Sequence, residues 1–378
     1  MRILCVIDHF GSGGAQRQMV NLACGLKARG HEIELFNYFP QHSFFRPQID
    51  AAKIPVHEVR KGKGFSFAVL FRLAKLLRSR RYDAAISFLE TPNTYLELAS
   101  FVARPPILIA SERNTHHGDG KPWRSRLHRR LHRRADAVVA NSAAHACWLE
   151  ERHEWLRGKV RVVRNGIDVA AFSKEFDPPA SPHDLRLVAI GRIAPQKNVL
   201  GLIKAMRIFL DRNGWVPQTS WIGRRSSADP NDLAYFRKID DALAAEPEIG
   251  NHLVFLGERS DVPALISAHH ALILPSFYEG LPNVVCEALA GGRPVIASDV
   301  SDVAALVEEG RRGFLFDPDE PETIAGAMER LAGLSPEQWR AFSSACAAYA
   351  AENLSENTMV DGFERVLQEM KSSKDGRR

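Results

Sequence analysis

Two glutamates, Glu279 and Glu287, are the first residues whose types and spacing point to chemistry. They lie in FYEGLPNVVCEAL (277–289), which follows an apolar run typical of a buried strand. Glu279 precedes a Gly-Leu-Pro turn, and Glu287 falls on a predicted helix of about 282–290. This spacing keeps the two acids from forming a carboxylate pair. Because carboxylates accept hydrogen bonds from vicinal hydroxyls, we expect one acid to bind a sugar and the other a ribose.

The start of the predicted helix favours an anion between the two acids. Pro282 suits the first helical turn, and Gly291 suits the helix end. The N–H groups of Gly280, Leu281 and the first helical turn are available to a phosphate. Taken singly, each glutamate is interpreted as a surface acid or a cap. Taken together, the stretch predicts a diphosphate between a sugar and a ribose.

A loop with two cations precedes the glutamates along the chain. Arg192 and Lys197 lie in AIGRIAPQKNVLGLIKA (189–205), after a predicted strand, and Asn198 is a good N-cap for the next helix. Cations beside a helix N-terminus form a strong site for a diphosphate. On its own the loop is better interpreted as a solvated loop with two surface charges, but its place before Glu279 favours the diphosphate site.

A glycine-rich turn follows the first predicted strand. Gly13 and Gly14, in GSGGAQRQMVNLA (11–23), let the backbone approach a ligand closely, and the next helix presents free N–H groups to an anion. The dinucleotide fingerprint GxGxxG would require a glycine where this chain has Gln16. The turn is therefore either a structural connection or a loop for a ligand other than a nicotinamide dinucleotide.

Short apolar runs alternate with longer amphipathic stretches along the whole chain. This alternation predicts an α/β protein with doubly wound, largely parallel sheets, and it pauses at the proline-rich linker EFDPPASPHD (175–184). We expect two Rossmann-like domains that face each other across a cleft, residues 1–174 and 175–355. Ligands in such sheets bind beyond the carboxyl ends of strands, where the candidate residues lie. The predicted strands are 2–7, 32–36, 84–88, 107–110, 137–140, 160–163, 185–190, 220–223, 253–257, 271–275, 294–298 and 313–316.

The composition is that of an ordinary globular protein. Of the 378 residues 45% are hydrophobic and 25% charged. No apolar run approaches the roughly 20 residues that span a bilayer, and MRILCVIDHF predicts a first strand rather than a signal peptide. Five scattered cysteines without a CxxC pair predict free thiols in a reducing cytoplasm. The net charge of +5 suits a phosphate, a nucleotide or a membrane surface without choosing among them.

The order of these motifs resembles the retaining GT-B glycosyltransferases of glycosyltransferase family 4, also called group 1 glycosyl transferases. The resemblance extends in particular to members that assemble lipopolysaccharide and surface polysaccharides. It covers essentially the whole chain, and Glu279 and Glu287 match the family's E-x7-E motif. It implies a GT-B fold and a helix of about 356–371 that packs back on the first domain. The matching stretches are GGAQRQMVNLA (13–23), RNGID (164–168), GRIAPQKN (191–198) and FYEGLPNVVCEALAGGRPVIASD (277–299).

The resemblance also implies a role for each matched residue. Arg192 and Lys197 would bind the donor diphosphate, and Glu279 would contact hydroxyls of the transferred sugar, so these three are the candidate catalytic residues. Glu287 would hold the nucleotide ribose, and the glycine turn would lie against the diphosphate and the acceptor. The candidate donor-binding residues are Gly13, Gly14, Glu287, Gly280, Leu281 and Asn165.

The loop after the predicted strand 107–110 departs from the family pattern. Many members have a histidine there, whereas this chain has SERNTHHGDG (111–120). Glu112, Arg113 or Asn114 would take the place of that histidine, and all three are candidate contacts to the acceptor or the sugar. This SERN form resembles members with lipid-linked or surface polysaccharide acceptors, which favours a lipid-linked glycan acceptor.

The reaction implied is transfer of a hexosyl-type sugar, with retention, from a UDP or GDP sugar. Retention without an enzymic nucleophile fits attack on the face of the leaving group, with a donor phosphate oxygen taking the acceptor's proton. The protein would mainly stabilise the charge that develops on the diphosphate. No Asp/His cluster or DxD pair has a convincing position, so we expect no metal ion and no cofactor beyond the nucleotide sugar.

Two basic amphipathic stretches are candidates for contact with a membrane. They are FSFAVLFRLAKLLRSRR (65–81) and WRSRLHRRLHRR (123–134). Such helices can lie on anionic lipid headgroups, but their apolar faces can equally cover the first sheet. The expected location is the cytoplasm, with peripheral attachment to the inner face of the cytoplasmic membrane.

Three other classes of protein share part of this pattern. A nicotinamide-dependent oxidoreductase shares the double Rossmann pattern but leaves the two glutamates unexplained. A sugar-nucleotide epimerase of GT-B type would need acids and histidines in the cleft for proton or elimination chemistry. A basic nucleic-acid-binding protein fits the charge, but the chain lacks an aromatic-basic stacking motif, so we expect no nucleic acid partner.

Overall fold

The structure is a computed structural model that describes residues 1–113, 128–225 and 230–376, without the side chains of residues 230 and 231. Its contacts divide it into two compact units. Unit 1 comprises Met1–Gly166 and Glu356–Arg378, and unit 2 comprises Ile167–Ser355. The division falls after residue 166 instead of the expected 174, because the intervening residues pack within unit 2. Each unit is built on a parallel sheet, which confirms the predicted fold class.

The sheet of unit 1 has seven parallel strands in the order β3-β2-β1-β4-β5-β6-β7. Its central strands β1, β4 and β5 are mostly apolar and almost entirely buried, because both faces of the sheet are covered. The strands are β1 (Arg2–Val6), β2 (Glu32–Asn37), β3 (Val56–Glu58), β4 (Ala84–Phe88), β5 (Ile107–Glu112), β6 (Ala137–Ala140) and β7 (Val160–Val162).

Helices cover both faces of this sheet. They are α1 (Gly14–Ala28), α2 (Arg46–Ala51), α3 (Phe67–Arg80), α4 (Glu90–Ala99), α5 (Ala143–Arg152) and the C-terminal α15 (Glu356–Asp375), with a helical turn at 128–131 and a 3-10 turn at Glu154–Leu156. The first and last of these helices share one core, and α3 and α4 pack on the opposite face. Gly25 lets the first and last helices approach closely, since a Cβ there would lie 2.5 Å from Val360 Cγ2.

The sheet of unit 2 has six parallel strands in the order β10-β9-β8-β11-β12-β13. The strands are β8 (Arg186–Ile190), β9 (Gln218–Ile222), β10 (Leu253–Gly257), β11 (Ala271–Leu274), β12 (Val295–Ser298) and β13 (Gly313–Phe316). The order reverses between β8 and β11, and such a switch point is where open α/β sheets bind ligands.

Helices again lie on both faces of the unit 2 sheet. They are α6 (Val169–Phe172), α7 (Val199–Asn213), α8 (Pro230–Ala245), α9 (Pro247–His252), α10 (Val262–Ser267), α11 (Asn283–Ala290), α12 (Val303–Val307), α13 (Pro321–Ala332) and α14 (Pro336–Asn353), with 3-10 turns at Pro182–Asp184 and Pro195–Lys197. In the described ranges, no helix has both the length and the apolar character required to cross a bilayer.

Candidate active site

The cations and the first glutamate of the sequence motifs follow the two strands that flank the switch point of unit 2. Arg192 and Lys197 come after β8, and Glu279 comes after the neighbouring β11. Because carboxyl ends of adjacent parallel strands meet at one edge of a sheet, the two loops leave the sheet side by side. The strand order therefore brings together residues that are far apart in sequence.

The loop after β8 is anchored by Asn198. This residue has a left-handed φ of 52° and caps α7, since its side chain accepts a 3.0 Å hydrogen bond from the Gly201 N–H. Its Nδ2 also donates to the Pro318 carbonyl at 2.8 Å. The predicted N-cap is thus confirmed, and it fixes the position of the adjacent Lys197.

Three hydrogen bonds join this loop to the loop after β11. The Phe277 N–H donates to the Gln196 carbonyl at 2.9 Å, and Gln196 Nε2 donates to the Tyr278 carbonyl at 2.8 Å. Lys197 Nζ donates to Glu279 Oε1 at 2.5 Å, with 14% and 9% of the two side chains exposed. A charge-assisted bond in such a partly buried place holds both side chains in defined positions.

Arg192 lies on the same loop with its side chain exposed. Its guanidinium makes no hydrogen bond or ion pair with any residue in the described ranges. The backbone beneath it is fixed, because the Gly191 carbonyl accepts a 2.8 Å hydrogen bond from Trp221 Nε1. The site therefore combines one cation held by a carboxylate with a second cation that is open to solvent.

Glu287 lies on α11, which extends over Asn283–Ala290 and nearly matches the predicted 282–290. Pro282 is the N-cap residue, and Gly291 is the C-cap as expected. Glu287 is 4% exposed. Before the helix, Gly280 is half-buried, and Leu281 is buried in the unit 2 core. The main chain from Glu279 to the helix start is thus held at the switch-point edge by the packing of Leu281.

The glycine turn of unit 1 follows β1, at the switch point between β1 and β4. Gly13 is the N-cap of α1 and Gly14 its first residue, so no side chain covers the helix N-terminus at these positions. Gln16 closes the turn, since its Nε2 donates to Asp8 Oδ1 at 2.8 Å. A Cβ on Gly13 would lie 2.1 Å from Gln16 Oε1, so a larger residue at this position would require the Gln16 side chain to shift.

Arg113 and Asn165, which are 52 residues apart, lie in contact in unit 1. Arg113 Nη1 donates to Asn165 Oδ1 at 2.7 Å, and the guanidinium stacks on the Phe88 ring, 4.1 Å from its centroid. Burial lowers the pKa of Arg113 to about 9. Within the part of the chain that the structure describes, its Nε and Nη2 have no hydrogen-bond partner. Asn114 lies outside the described residues.

Glu112 belongs to a buried ionic network that sequence reasoning missed. Its carboxylate accepts hydrogen bonds from Arg129 Nε at 3.1 Å, His132 Nε2 at 2.9 Å and His145 Nε2 at 3.3 Å. His132 Nδ1 lies 2.5 Å from Glu97 Oε1, so the network reaches α4. All five side chains are buried. The sequence offered one indication of this network: Arg129 and His132 are three residues apart, which places them on one face of a helix.

Opposing effects set the charges in this network. Burial alone would raise the pKa of Glu112, but hydrogen bonds from His132 and His145 and the charge of Arg129 hold it well below its usual value. Burial alone would lower the pKa of His132, but Glu97 and Glu112 outweigh it and raise that pKa to about 10. His132 is therefore an imidazolium at neutral pH, held between two carboxyl groups.

Family models of known proteins match both halves of the chain. The model described as Glycosyltransferase Family 4 matches residues 12–171, and the one described as Glycosyl transferases group 1 matches residues 184–333. Together they include all the candidate site residues.

Two curated relatives share just over a quarter of their aligned residues with this chain. The UDP-Gal:alpha-D-GlcNAc-diphosphoundecaprenol alpha-1,3-galactosyltransferase of Escherichia coli is 28% identical over 46% of this chain, and the match spans only 45% of that protein. A second relative, from Campylobacter jejuni, is the GalNAc-alpha-(1->4)-GalNAc-alpha-(1->3)-diNAcBac-PP-undecaprenol alpha-1,4-N-acetyl-D-galactosaminyltransferase. It is 27% identical, and the match covers 90% of each chain.

A solved structure extends the comparison to the whole fold. HepE from Anabaena, in complex with UDP-glucose, superposes with a TM-score of 0.78 at 21% identity, over 99% of this chain and 100% of that one. At this identity the likeness establishes the GT-B fold alone. The predicted family and fold are both confirmed: the chain belongs to the group 1, family 4 glycosyltransferases.

Proposed function

We propose that this protein is a retaining hexosyltransferase that moves a sugar from a UDP or GDP sugar to a lipid-linked glycan acceptor, in surface polysaccharide or lipopolysaccharide assembly. The observation that carries the proposal is the contact of Lys197 with Glu279 at the switch point of unit 2, beside the open guanidinium of Arg192. Two cations and a carboxylate at one edge of a sheet suit a diphosphate and a hydroxylated ring together.

Each donor contact has a role in this proposal. Arg192 and Lys197 bind the diphosphate, together with main-chain N–H groups of Gly280 and Leu281. Glu279 accepts hydrogen bonds from hydroxyls of the transferred sugar, and the hydrogen bond from Lys197 holds its carboxylate in position. Glu287, held within α11, accepts hydrogen bonds from the nucleotide ribose.

The proposed chemical step is a substitution with retention. The bond between the anomeric carbon and the diphosphate oxygen breaks, which leaves an oxocarbenium-like ion and a free diphosphate charge. The acceptor hydroxyl attacks from the face that the diphosphate leaves, and its proton passes to a phosphate oxygen. Arg192 and Lys197 stabilise the charge on the leaving group, a type of interaction that typically contributes a factor of about 10²–10³ to the rate. The step needs no metal ion and no further cofactor.

The acceptor side is proposed on unit 1. Gly13, Gly14 and Asn165 lie at the carboxyl edge of its sheet and contact the donor diphosphate and the acceptor. Arg113 contacts the acceptor, together with Asn114. Glu112 instead acts through the buried network, because its carboxylate is already bonded to Arg129 and two histidines. The two relatives from Escherichia coli and Campylobacter jejuni, both named for undecaprenol-linked acceptors, support a lipid-linked acceptor for this chain. A lipid-linked acceptor in turn favours a peripheral location on the inner face of the cytoplasmic membrane.

Thermal stabilisation by a panel of UDP, GDP and ADP sugars tests the donor site. A ligand at 100 times its Kd stabilises the folded state by about 2.7 kcal/mol, so a specific donor gives a clear rise in Tm. We expect one nucleotide class to stabilise the wild type and Glu287→Gln to lose that shift. The control Glu248→Gln, at an exposed glutamate in the same unit, should keep it. If no sugar nucleotide shifts the Tm of the wild type, the proposal is wrong.

Product analysis tests the reaction itself. We expect release of the nucleoside diphosphate only when an acceptor is present, and a product whose anomeric configuration by NMR equals that of the donor sugar. Release without an acceptor would instead indicate an epimerase or a hydrolase. An inverted product, or loss of turnover in EDTA, would contradict retention or metal independence respectively.

A further inference from the structure

Three phenylalanines are exposed next to one another where α3 begins. Phe65 is 49% exposed, Phe67 78% and Phe71 69%. The rings of Phe65 and Phe67 meet edge to face, with centroids 5.3 Å apart. Rings this exposed are costly in water, and a group of them marks a surface that binds a partner. We call Phe65, Phe67 and Phe71 the phenylalanine face.

Local structure holds this face in place. Ser66 caps α3, and its N–H donates to Tyr95 Oη on α4 at 2.7 Å. Phe65 stacks on the same Tyr95 ring, with centroids 5.0 Å apart. Val69, Leu73 and Leu77 form the buried side of α3, which leaves the phenylalanines no room in the core. Their exposure is therefore a consequence of how the helix packs.

The segment around the phenylalanine face is strongly cationic. Residues 59–82 contain eight cations and no carboxylate: Arg60, Lys61, Lys63, Arg72, Lys75, Arg78, Arg80 and Arg81. Lys75 and Arg78 continue the stripe of Phe67 and Phe71, because positions i, i+4, i+8 and i+11 share one side of a helix. Aromatic rings followed by cations on one exposed stripe are the pattern of helices that bind at the surface of anionic bilayers.

The second basic stretch does not offer a comparable surface in its described part. Arg129 and His132 are bonded to Glu112 and buried, so these two charges of 123–134 face the interior of unit 1. Of the two basic stretches that were candidates for contact with a membrane, we therefore retain only the one that forms α3.

We propose that the phenylalanine face and the cations of α3 form a docking surface for an anionic lipid bilayer, with the rings at the boundary of headgroups and acyl chains. A second copy of this chain is a poorer partner, because two such surfaces would place the cations of one α3 against those of the other. α3 begins at the carboxyl edge of the unit 1 sheet, where Gly13 and Arg113 also lie. Docking there would bring that edge close to the lipid surface. This inference rests on the proposed function, because a lipid-linked acceptor would then reach the edge directly from the bilayer.

Vesicle flotation with the full-length protein tests this surface. We expect binding to vesicles of phosphatidylcholine with about 30% of the anionic lipid phosphatidylglycerol, and little binding to phosphatidylcholine alone. Phe67→Ser with Phe71→Ser should weaken partition roughly 10- to 100-fold. The matched control is Phe101→Ser, which removes a ring that is 63% exposed after the other end of α4 and should bind as the wild type does.

Two further measurements separate the outcomes. Lys75→Glu with Arg78→Glu keeps the rings and should abolish the preference for anionic vesicles. Thermal stabilisation of each variant by the sugar nucleotide reports on folding and on the proposed donor site, so a membrane defect alone leaves it unchanged. Flotation of the wild type with neither vesicle, or undiminished flotation of the double phenylalanine variant, overturns the proposal. So does a dimer in sedimentation that the phenylalanine substitutions dissociate, because the face would then serve a second copy.

Discussion

Lys197 Nζ lies 2.5 Å from Glu279 Oε1, although 82 residues separate the two in sequence. The contact exists because β8 and β11 are neighbours at the point where the strand order of unit 2 reverses. A lysine in this place can be shared between a carboxylate and an incoming phosphate oxygen, since an ammonium carries three donors. The contact thus holds Glu279, the proposed sugar-binding acid, next to Lys197, the proposed diphosphate-binding cation.

Replacement of Lys197 should reduce turnover far more than stability. We expect Lys197→Ala to lower kcat about 10²–10³-fold, because one preorganised donor to the leaving diphosphate is lost. Steady-state kinetics with saturating donor measures this. Lys204→Ala, at an exposed position on α7, is the matched control and should leave kcat unchanged. Equal effects of the two substitutions would rule out a specific role for Lys197.

Gly223 should be essential to the loop that carries Arg192. A Cβ at this residue would lie 1.9 Å from the Gly191 carbonyl oxygen, and its φ is +156°. We expect Gly223→Ala to lower the free energy of unfolding by about 1–3 kcal/mol and to weaken donor binding. Denaturant unfolding and calorimetric titration with the donor measure both.

Gly214→Ala is the control for that substitution. Gly214 also has a positive φ, +74°, but a Cβ there would meet no atom within 4 Å. It should cost about 1–2 kcal/mol through backbone strain alone and leave the donor Kd unchanged. If both alanine variants bound donor as tightly as the wild type, the close approach of Gly223 to Gly191 would not matter for the site.

The buried network should make stability depend on pH at the alkaline end. The pKa of His132 is raised to about 10 by Glu97 and Glu112, against the opposing effect of burial. A raised pKa means that the contribution of His132 is complete below its unfolded value near 6.5 and is lost as the pH rises through about 10. We expect His132→Gln to cost about 3–5 kcal/mol at pH 6, because it leaves buried carboxylates uncompensated.

The measurement is the free energy of unfolding of the wild type and of His132→Gln at pH 6, 8 and 9.5, from below the unfolded pKa of about 6.5 to just below the folded pKa of about 10. The difference between the two proteins should shrink as the pH rises. His128→Gln, at a histidine on the same helical turn whose side chain is 33% exposed, should show a small difference at every pH. A His132→Gln difference that stays constant with pH would contradict a charged imidazolium in the network.

Arg113 should act on the acceptor and not on the donor. Its guanidinium donates to Asn165 and stacks on Phe88, and no lysine reproduces a planar fork of this kind. We expect Arg113→Gln to raise the acceptor KM roughly tenfold or more while the donor Kd stays the same. Arg130→Gln, at an exposed arginine, is the control. A weakened donor Kd in Arg113→Gln would place this residue on the donor instead.

Most of the fold could be predicted from local sequence patterns, because helices, strands and caps depend mainly on residues that are close together in the chain. The helix at 283–290 and the cap at Asn198 were both recognisable from turn and cap residues. The strand Val56–Glu58 was missed because it has only three residues, none of them buried, at the edge of the sheet. Short edge strands carry too few apolar positions to show alternation.

The interactions of the site were harder to predict because they join distant segments. The pairing of Lys197 with Glu279 depends on strand order, which no local pattern encodes. The network of Glu112 depends on Arg129 and His132 turning inward, whereas a run rich in arginine favours a solvated surface. Buried charges of this kind are stable only with their partners in place, so composition alone cannot reveal them.

The return of α15 to unit 1 has a consequence for how the chain matures on the ribosome. The core shared by α1 and the first sheet includes residues that are synthesised only after the whole of unit 2: Met359, Val360, Phe363, Val366, Leu367 and Met370. Unit 2 is complete once residue 355 has emerged, whereas unit 1 waits for its final helix. The side of α1 that packs on α15 therefore stays uncovered while unit 2 is synthesised, so unit 1 is completed only after the unit that is inserted between its two segments.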